Sequence, residues 1–205
     1  AAPRINFSLK LSNGRDSIRL LGRGIDPVHE AEITVLDEHI AAGHYLSRRP
    51  GILVGKPLAE KLKLEPGDTV FITAMDRYSV ENFIDAEVVG VFEYGYPVID
   101  ENFIYTDLAT ARSLLDLGED EATRLVVKLT STLQVKPVVA ALKARFEGSP
   151  LVVYPWERFA EVVVSAVKQD GGSFAILMII CYLLIILGIM NSLSMSIHEP
   201  LTGII

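Results

Sequence analysis

The sequence predicts an α+β domain built on a mixed β-sheet, followed by a long helix that continues into a transmembrane helix. Three observations carry this. Short β-branched runs alternate with short amphipathic helical stretches through the first 155 residues. From residue 156 the apolar positions fall at helical spacing instead. From 171 to 197 there is no charged residue at all. The chain therefore reads as a domain at 1–155, an amphipathic stalk helix at 156–172, a membrane-crossing helix at 173–197 and a tail at 198–205.

The elements follow in order. Residues 5–11 and 18–24 read as strands flanking the turn Ser12-Asn13-Gly14. Asp26-Pro27 is a helix start, with Asp as N-cap and Pro in the first turn. A short helix is expected at 36–42, closed by Gly43. Residues 51–54 form a strand and 57–62 a helix. Pro66-Gly67 at the centre of 65–68 predicts a type II turn. Strands follow at 69–74, at 84–92 as a long central one, and at 103–105. Thr106 or Asp107 caps a helix over 108–117, ended by Gly118. Residues 125–129 read as a strand. Val135, Val138, Val139, Leu142 and Phe146 mark an amphipathic helix, and 151–154 reads as the last strand. This order suits a layer with helices on one face.

Trp156, Phe159, Ala160, Val163 and Val167 recur as one helical stripe, with Glu157, Arg158, Glu161, Lys168 and Asp170 opposite. No proline lies between Pro155 and Pro200, so the helix can run on, with a joint at Gly171-Gly172. The apolar part from Phe174 to Met190, with its uncharged flanks, is long enough to cross a bilayer core.

Composition narrows the function. Hydrophobic residues make up 50%, mean hydropathy is +0.34, and the net charge is −7. With no Lys/Arg run, nucleic acid is an unsuitable partner. An acidic body is also repelled by anionic head groups. The lone Cys181 allows no intrachain disulfide. The chain opens Ala1-Ala2-Pro3-Arg4 with no basic-then-apolar leader, which leaves a removed leader or an internal segment open.

The chemistry-bearing motifs are sparse. Gly51-Ile52-Leu53-Val54-Gly55-Lys56-Pro57 looks like a phosphate loop. It has one residue too few between its glycines, and Pro57 stands where a hydroxyl is needed, so a strand-to-helix turn is expected. Gly22-Arg23-Gly24 is an incomplete dinucleotide signature. His29, His39 and His44 lie near Asp26, Glu30, Asp37 and Glu38, but spacings of ten and five share no helical face for a metal. No serine or cysteine nucleophile sits with a base, so no enzyme is expected, and no cofactor in this chain. Tyr94 and Tyr96, in the turn-like 93–97, are candidate partner contacts.

Four stretches together resemble the periplasmic core domain of ABC transporter permeases of the LolC/LolE, MacB and FtsX group. They are Gly24-Ile25-Asp26-Pro27 with 40–46; 52–62 running into Pro66-Gly67-Asp68-Thr69-Val70; Glu87-Val88-Val89-Gly90-Val91-Phe92 with 103–111; and the apolar segment ending at 190–199. The resemblance implies an inner-membrane permease subunit whose main domain is extracytoplasmic. It implies a second permease subunit as homo- or heterodimer, and a separate cytoplasmic ATPase that holds the ATP and Mg²⁺. ATP hydrolysis would then move the periplasmic domains, a mechanotransmission, to extract lipoproteins for a periplasmic chaperone. Efflux of the MacB type and FtsX-like signalling to a periplasmic partner are the alternatives within the group. A lipidated cargo would meet lipid-facing positions around Phe174, Leu177, Met178, Cys181 and Leu184. In one respect the chain departs from the group: after Glu199 the usual basic stretch is replaced by Pro200-Leu201-Thr202-Gly203-Ile204-Ile205. Helix orientation therefore rests on the resemblance and not on charge.

Overall fold

The computed structural model describes residues 1–47 and 51–156, with the single positions 158, 178 and 182. The chain divides into two compact units, Ala1–Lys128 and Leu129–Ile205.

The first unit begins with β1 (Ala2–Ser12) and β2 (Ser17–Ile25), paired antiparallel from Arg4↔Ile25 to Ser12↔Ser17. Asn13 makes the reversal: its side-chain oxygen accepts the N–H of Arg15 at 2.9 Å and of Asp16 at 2.7 Å. Helix α1 (Pro27–Ile33) starts as its sequence dictates, with the Asp26 carboxylate accepting the N–H groups of Val28 and His29. A 3-10 turn (Asp37–His39) then leads into β3 (Ile40–Gly43).

The helix expected at 36–42 is not formed. Leu36 is fully buried, and the next residues are drawn into antiparallel pairing with β6, Ile40 opposite Phe92 and Gly43 opposite Gly90. Gly43 closes no helix; a Cβ there would lie 2.4 Å from the Val89 carbonyl oxygen. A tertiary ladder has overridden a local helical preference.

The remaining elements of this unit are β4 (Ile52–Gly55), α2 (Lys56–Leu62), β5 (Thr69–Met75), β6 (Glu81–Phe92), α3 (Pro97–Asp100), β7 (Phe103–Asp107), α4 (Leu108–Leu115) and β8 (Arg124–Val126). The turn before β5 is as expected, with Gly67 at φ +101° and the Asp68 N–H donating to the Glu65 carbonyl at 3.0 Å. Helix α4 stops earlier than expected. Asp116, at φ +52°, closes it, so Gly118 is not its terminator. Asp107, not Thr106, is its cap. The expected strand at 125–129 shrinks to Arg124–Val126, held by β1.

The hydrogen-bonded neighbours run β2-β7-β4-β6-β5-β1-β8, and β1 pairs with β2 as well. The six strands β2, β7, β4, β6, β5 and β1 thus close into a ring. The expected mixed sheet is present, and its closure was not specified by the sequence, because closure depends on pairings that local patterns do not encode. The interior holds Ile5, Leu9, Leu20, Val54, Ile72, Val88 and Ile104, with Leu58 and Leu62 from α2 and Leu114 from α4 in the same cluster. A second cluster lies on the other face of β4, β6 and β7: Leu53, Phe92 and Tyr105, with Ile25, Leu36 and Leu46. Every residue of β4 is buried because both faces are covered.

The second unit contains a 3-10 turn (Thr132–Gln134) and α5 (Val135–Arg145). The expected stripe is real: Val135, Val138, Val139, Leu142 and Phe146 are half-buried and the intervening positions are exposed. The strand expected at 151–154 is not formed. A strand needs a ladder partner, and none exists for it among the described residues. The stalk and the membrane-crossing segment lie outside the described residues. Among the described residues no helix is long and apolar enough to cross a membrane.

Candidate functional site

The segment after β6 carries the candidate contact residues Tyr94 and Tyr96. The Asp100 carboxylate, itself 2% exposed, accepts the N–H of Tyr94 at 3.0 Å and of Gly95 at 2.9 Å. That pins the loop from inside. Helix α3, which begins at Pro97, was not read in the sequence; its four residues are too few for a periodic pattern.

The two tyrosines are placed differently. Tyr96 is exposed. Tyr94 packs on the second cluster, its ring 5.0 Å from His39 and 5.7 Å, edge-on, from Phe92. Burial pushes the Tyr94 phenol above its ordinary range, with neighbouring Tyr105 adding to the rise. Tyr45 is raised by burial and then by Glu30, Asp37 and Asp26. Both phenols stay neutral at physiological pH, so they offer contact surface and not acid–base chemistry.

Beneath α1 lies a polar cluster that sequence spacing could not reveal. Glu30, 1% exposed, takes the Arg4 guanidinium on both oxygens, at 3.0 and 2.5 Å. Arg23 lies 5.0 Å from the Phe103 ring centre and 5.6 Å from that of Tyr105, and donates to Asn6 at 3.3 Å. Burial lowers the Arg23 pKa, and Tyr105 opposes this. The cluster fastens α1 to β1, a holding role.

The phosphate-loop lookalike is explained by packing. A Cβ on Gly55 would lie 1.8 Å from the Asp100 carbonyl oxygen, and one on Gly51 would lie 2.4 Å from the Val89 side chain. The glycines let α3 and β6 approach β4. The histidines each have separate surroundings: His29 meets Asp26 at 2.8 Å, His39 meets the Val35 carbonyl at 2.7 Å and stacks on Tyr94, and His44 is exposed. No group of three metal-ligating side chains occurs among the described residues.

In the second unit a cavity of about 860 Å³ lies between the end of α5 and residues 148–155, lined by Lys143, Phe146, Tyr154 and Arg158. The Arg158 guanidinium stands 4.3 Å from the Tyr154 ring centre. Of the residues expected to face lipid, Met178 is helical and exposed. Phe174, Leu177, Cys181 and Leu184 lie outside the described residues.

Residues 1–145 match the model of the MacB-like periplasmic core domain. The chain belongs to that family. The lipoprotein-releasing system transmembrane protein LolC from two strains of Xylella fastidiosa is 28% identical over 202 residues in each case. The match covers 95% of this chain and 47% of LolC, so the chain spans about half the length of these curated relatives. Among solved structures, the extracellular domain of the ABC-type transporter YknZ from Gram-positive bacteria shares the MacB-like fold. Its TM-score is 0.51 at 17% identity, covering 72% of this chain and 75% of that one.

Proposed function

We propose that this chain is part of the permease subunit of an ATP-driven ABC transporter that moves lipoproteins or similar amphiphiles. The observation that carries it is the extent of the LolC similarity. It covers 95% of the chain, too much to leave out the uncharged segment at 173–197. In this reading 173–197 crosses the inner membrane, 156–172 is the stalk, and the MacB-like core stands on the extracytoplasmic side. A closed ring of strands around one packed interior is stiff, and a stiff body moved by a continuous helix transmits displacement with little loss. ATP and Mg²⁺ belong to a separate ATPase, a second permease subunit completes the membrane part, and a periplasmic chaperone receives the cargo.

The test is purification of the tagged full-length protein from detergent-solubilised membranes, with mass spectrometry of what accompanies it. A stoichiometric ATPase together with a lipoprotein or its chaperone is the expected result. An ATPase accompanied by a cell-wall hydrolase would replace cargo movement by signalling. Absence of any ATPase, under conditions that keep a known transporter intact, would overturn the transporter reading.

A further inference from the structure

The outer face of the β1–β2 hairpin is basic in an acidic chain. The first 25 residues hold five of the 19 Lys and Arg residues and one of the 26 Asp and Glu residues. Strand pairing gathers them on one surface. Lys10 of β1 stands directly opposite Arg19 of β2, and both are exposed. Arg15 lies in the turn between the two strands. Like charges at opposed positions destabilise a strand pair. Among the described residues, Lys10, Arg15 and Arg19 have no carboxylate in an ion pair with them. The arrangement works against the fold, which points to a use outside it.

Apolar side chains are set among these cations. Leu21, between Arg19 and Arg23 on β2, is 44% exposed. Phe71 and Met75 point outward from β5, which pairs with β1, and are 44% and 64% exposed. Ser8, Ser12, Ser17, Thr69 and Thr73 share this outer face, and the carboxylates begin on the next strand, β6, where Asp85 stands opposite Phe71 and Glu81 opposite Met75.

We propose that this face docks on an anionic phospholipid surface, its cations on the head groups and Leu21, Phe71 and Met75 at the head-group boundary. The acidic remainder of the chain is repelled by the same surface, so the charge separation orients the unit with the hairpin inward. The proposal rests on the reading that places this chain beside a membrane, and it adds a second contact to the one made by 173–197.

The experiment uses the full chain with Cys181→Ser and a nitroxide label on Ser8→Cys, which stands opposite Leu21. A second label on Lys61→Cys of α2 is the control. The protein is reconstituted in phosphatidylcholine vesicles with and without phosphatidylglycerol, and collision of the label with a water-soluble nickel chelate is measured. At low salt, exposure of position 8 falls severalfold only where phosphatidylglycerol is present, and position 61 is unchanged. Lys10→Gln with Arg19→Gln, both exposed and relieved of mutual repulsion, restores exposure. Each neutralised residue shifts the docking equilibrium about fivefold. Equal exposure of position 8 in the two lipids overturns the proposal. So does protection that grows with protein density in phosphatidylcholine alone, which would make the face an interface between copies. If the chain fails to float with phosphatidylcholine vesicles, the membrane-anchoring reading falls by itself. The face is then read by flotation with phosphatidylglycerol vesicles. Salt-sensitive flotation lost in the double variant upholds docking, and no flotation overturns it.

Discussion

At the scale of single residues, the polar groups of the first unit are spent on holding loops to strands. Asp100 accepts two backbone N–H groups of the loop that carries Tyr94, and Glu30 accepts from Nε and Nη2 of Arg4. Gly55 has an ordinary backbone, φ −67°, so its glycine is required by space alone. Gly67 is the reverse case, with open space around it and φ +101°. Gly55→Ala is expected to destabilise the protein by about 3 kcal/mol, since the obstructing atom is a backbone oxygen that cannot rotate away. Gly67→Ala is expected to cost about 1 to 2 kcal/mol of backbone strain. Urea unfolding of the two variants measures both. A Gly55→Ala protein as stable as the parent would show that α3 moves freely against β4.

At the scale of elements, α1 is the segment most dependent on its cap. It has seven residues, too few to be stable by propensity. Burial raises the Asp26 pKa, but the hydrogen bonds from the His29 side chain and from the N–H groups of His29 and Val28 outweigh it, and the net shift is downward. A carboxylate depressed in the folded state contributes stability that is present above its unfolded pKa and is lost as pH falls through the folded value. Asp26→Ala should therefore lower the unfolding free energy by about 1 kcal/mol at pH 7. The gap between variant and parent should close as the pH is taken below about 4. Urea midpoints at neutral and acid pH check this. A gap that does not change with pH would mean the carboxylate charge contributes nothing.

At the scale of the molecule, ring closure makes the first unit a single cooperative body. β1 pairs with β2, β5 and β8, and none of the six ring strands leaves without breaking two ladders. Amides in β1, β4 and β6 should exchange with one shared opening free energy, close to that of global unfolding. Native-state hydrogen exchange in rising denaturant tests it. Separate opening of the β5–β6 hairpin, well below the global value, would show that the ring is a weak closure.

The sequence by itself determined the parts that depend on near neighbours. Asp26-Pro27 started a helix and Pro66-Gly67 made a turn because caps and turns are decided within four residues. The strands expected at 69–74 and 103–105, found at Thr69–Met75 and Phe103–Asp107, and the α5 stripe were legible because period and burial coincide there. The MacB-like resemblance was legible too, since its motifs lie on these local elements. Only the tertiary structure decided whether residues 36–42 became a helix, because the competing partner is β6, fifty positions away. The ring closure, the Arg4–Glu30 pair and the opposition of Lys10 and Arg19 on one face are of the same kind. Each is a contact or juxtaposition across strands, and its free energy depends on pairing partners that composition and spacing do not specify.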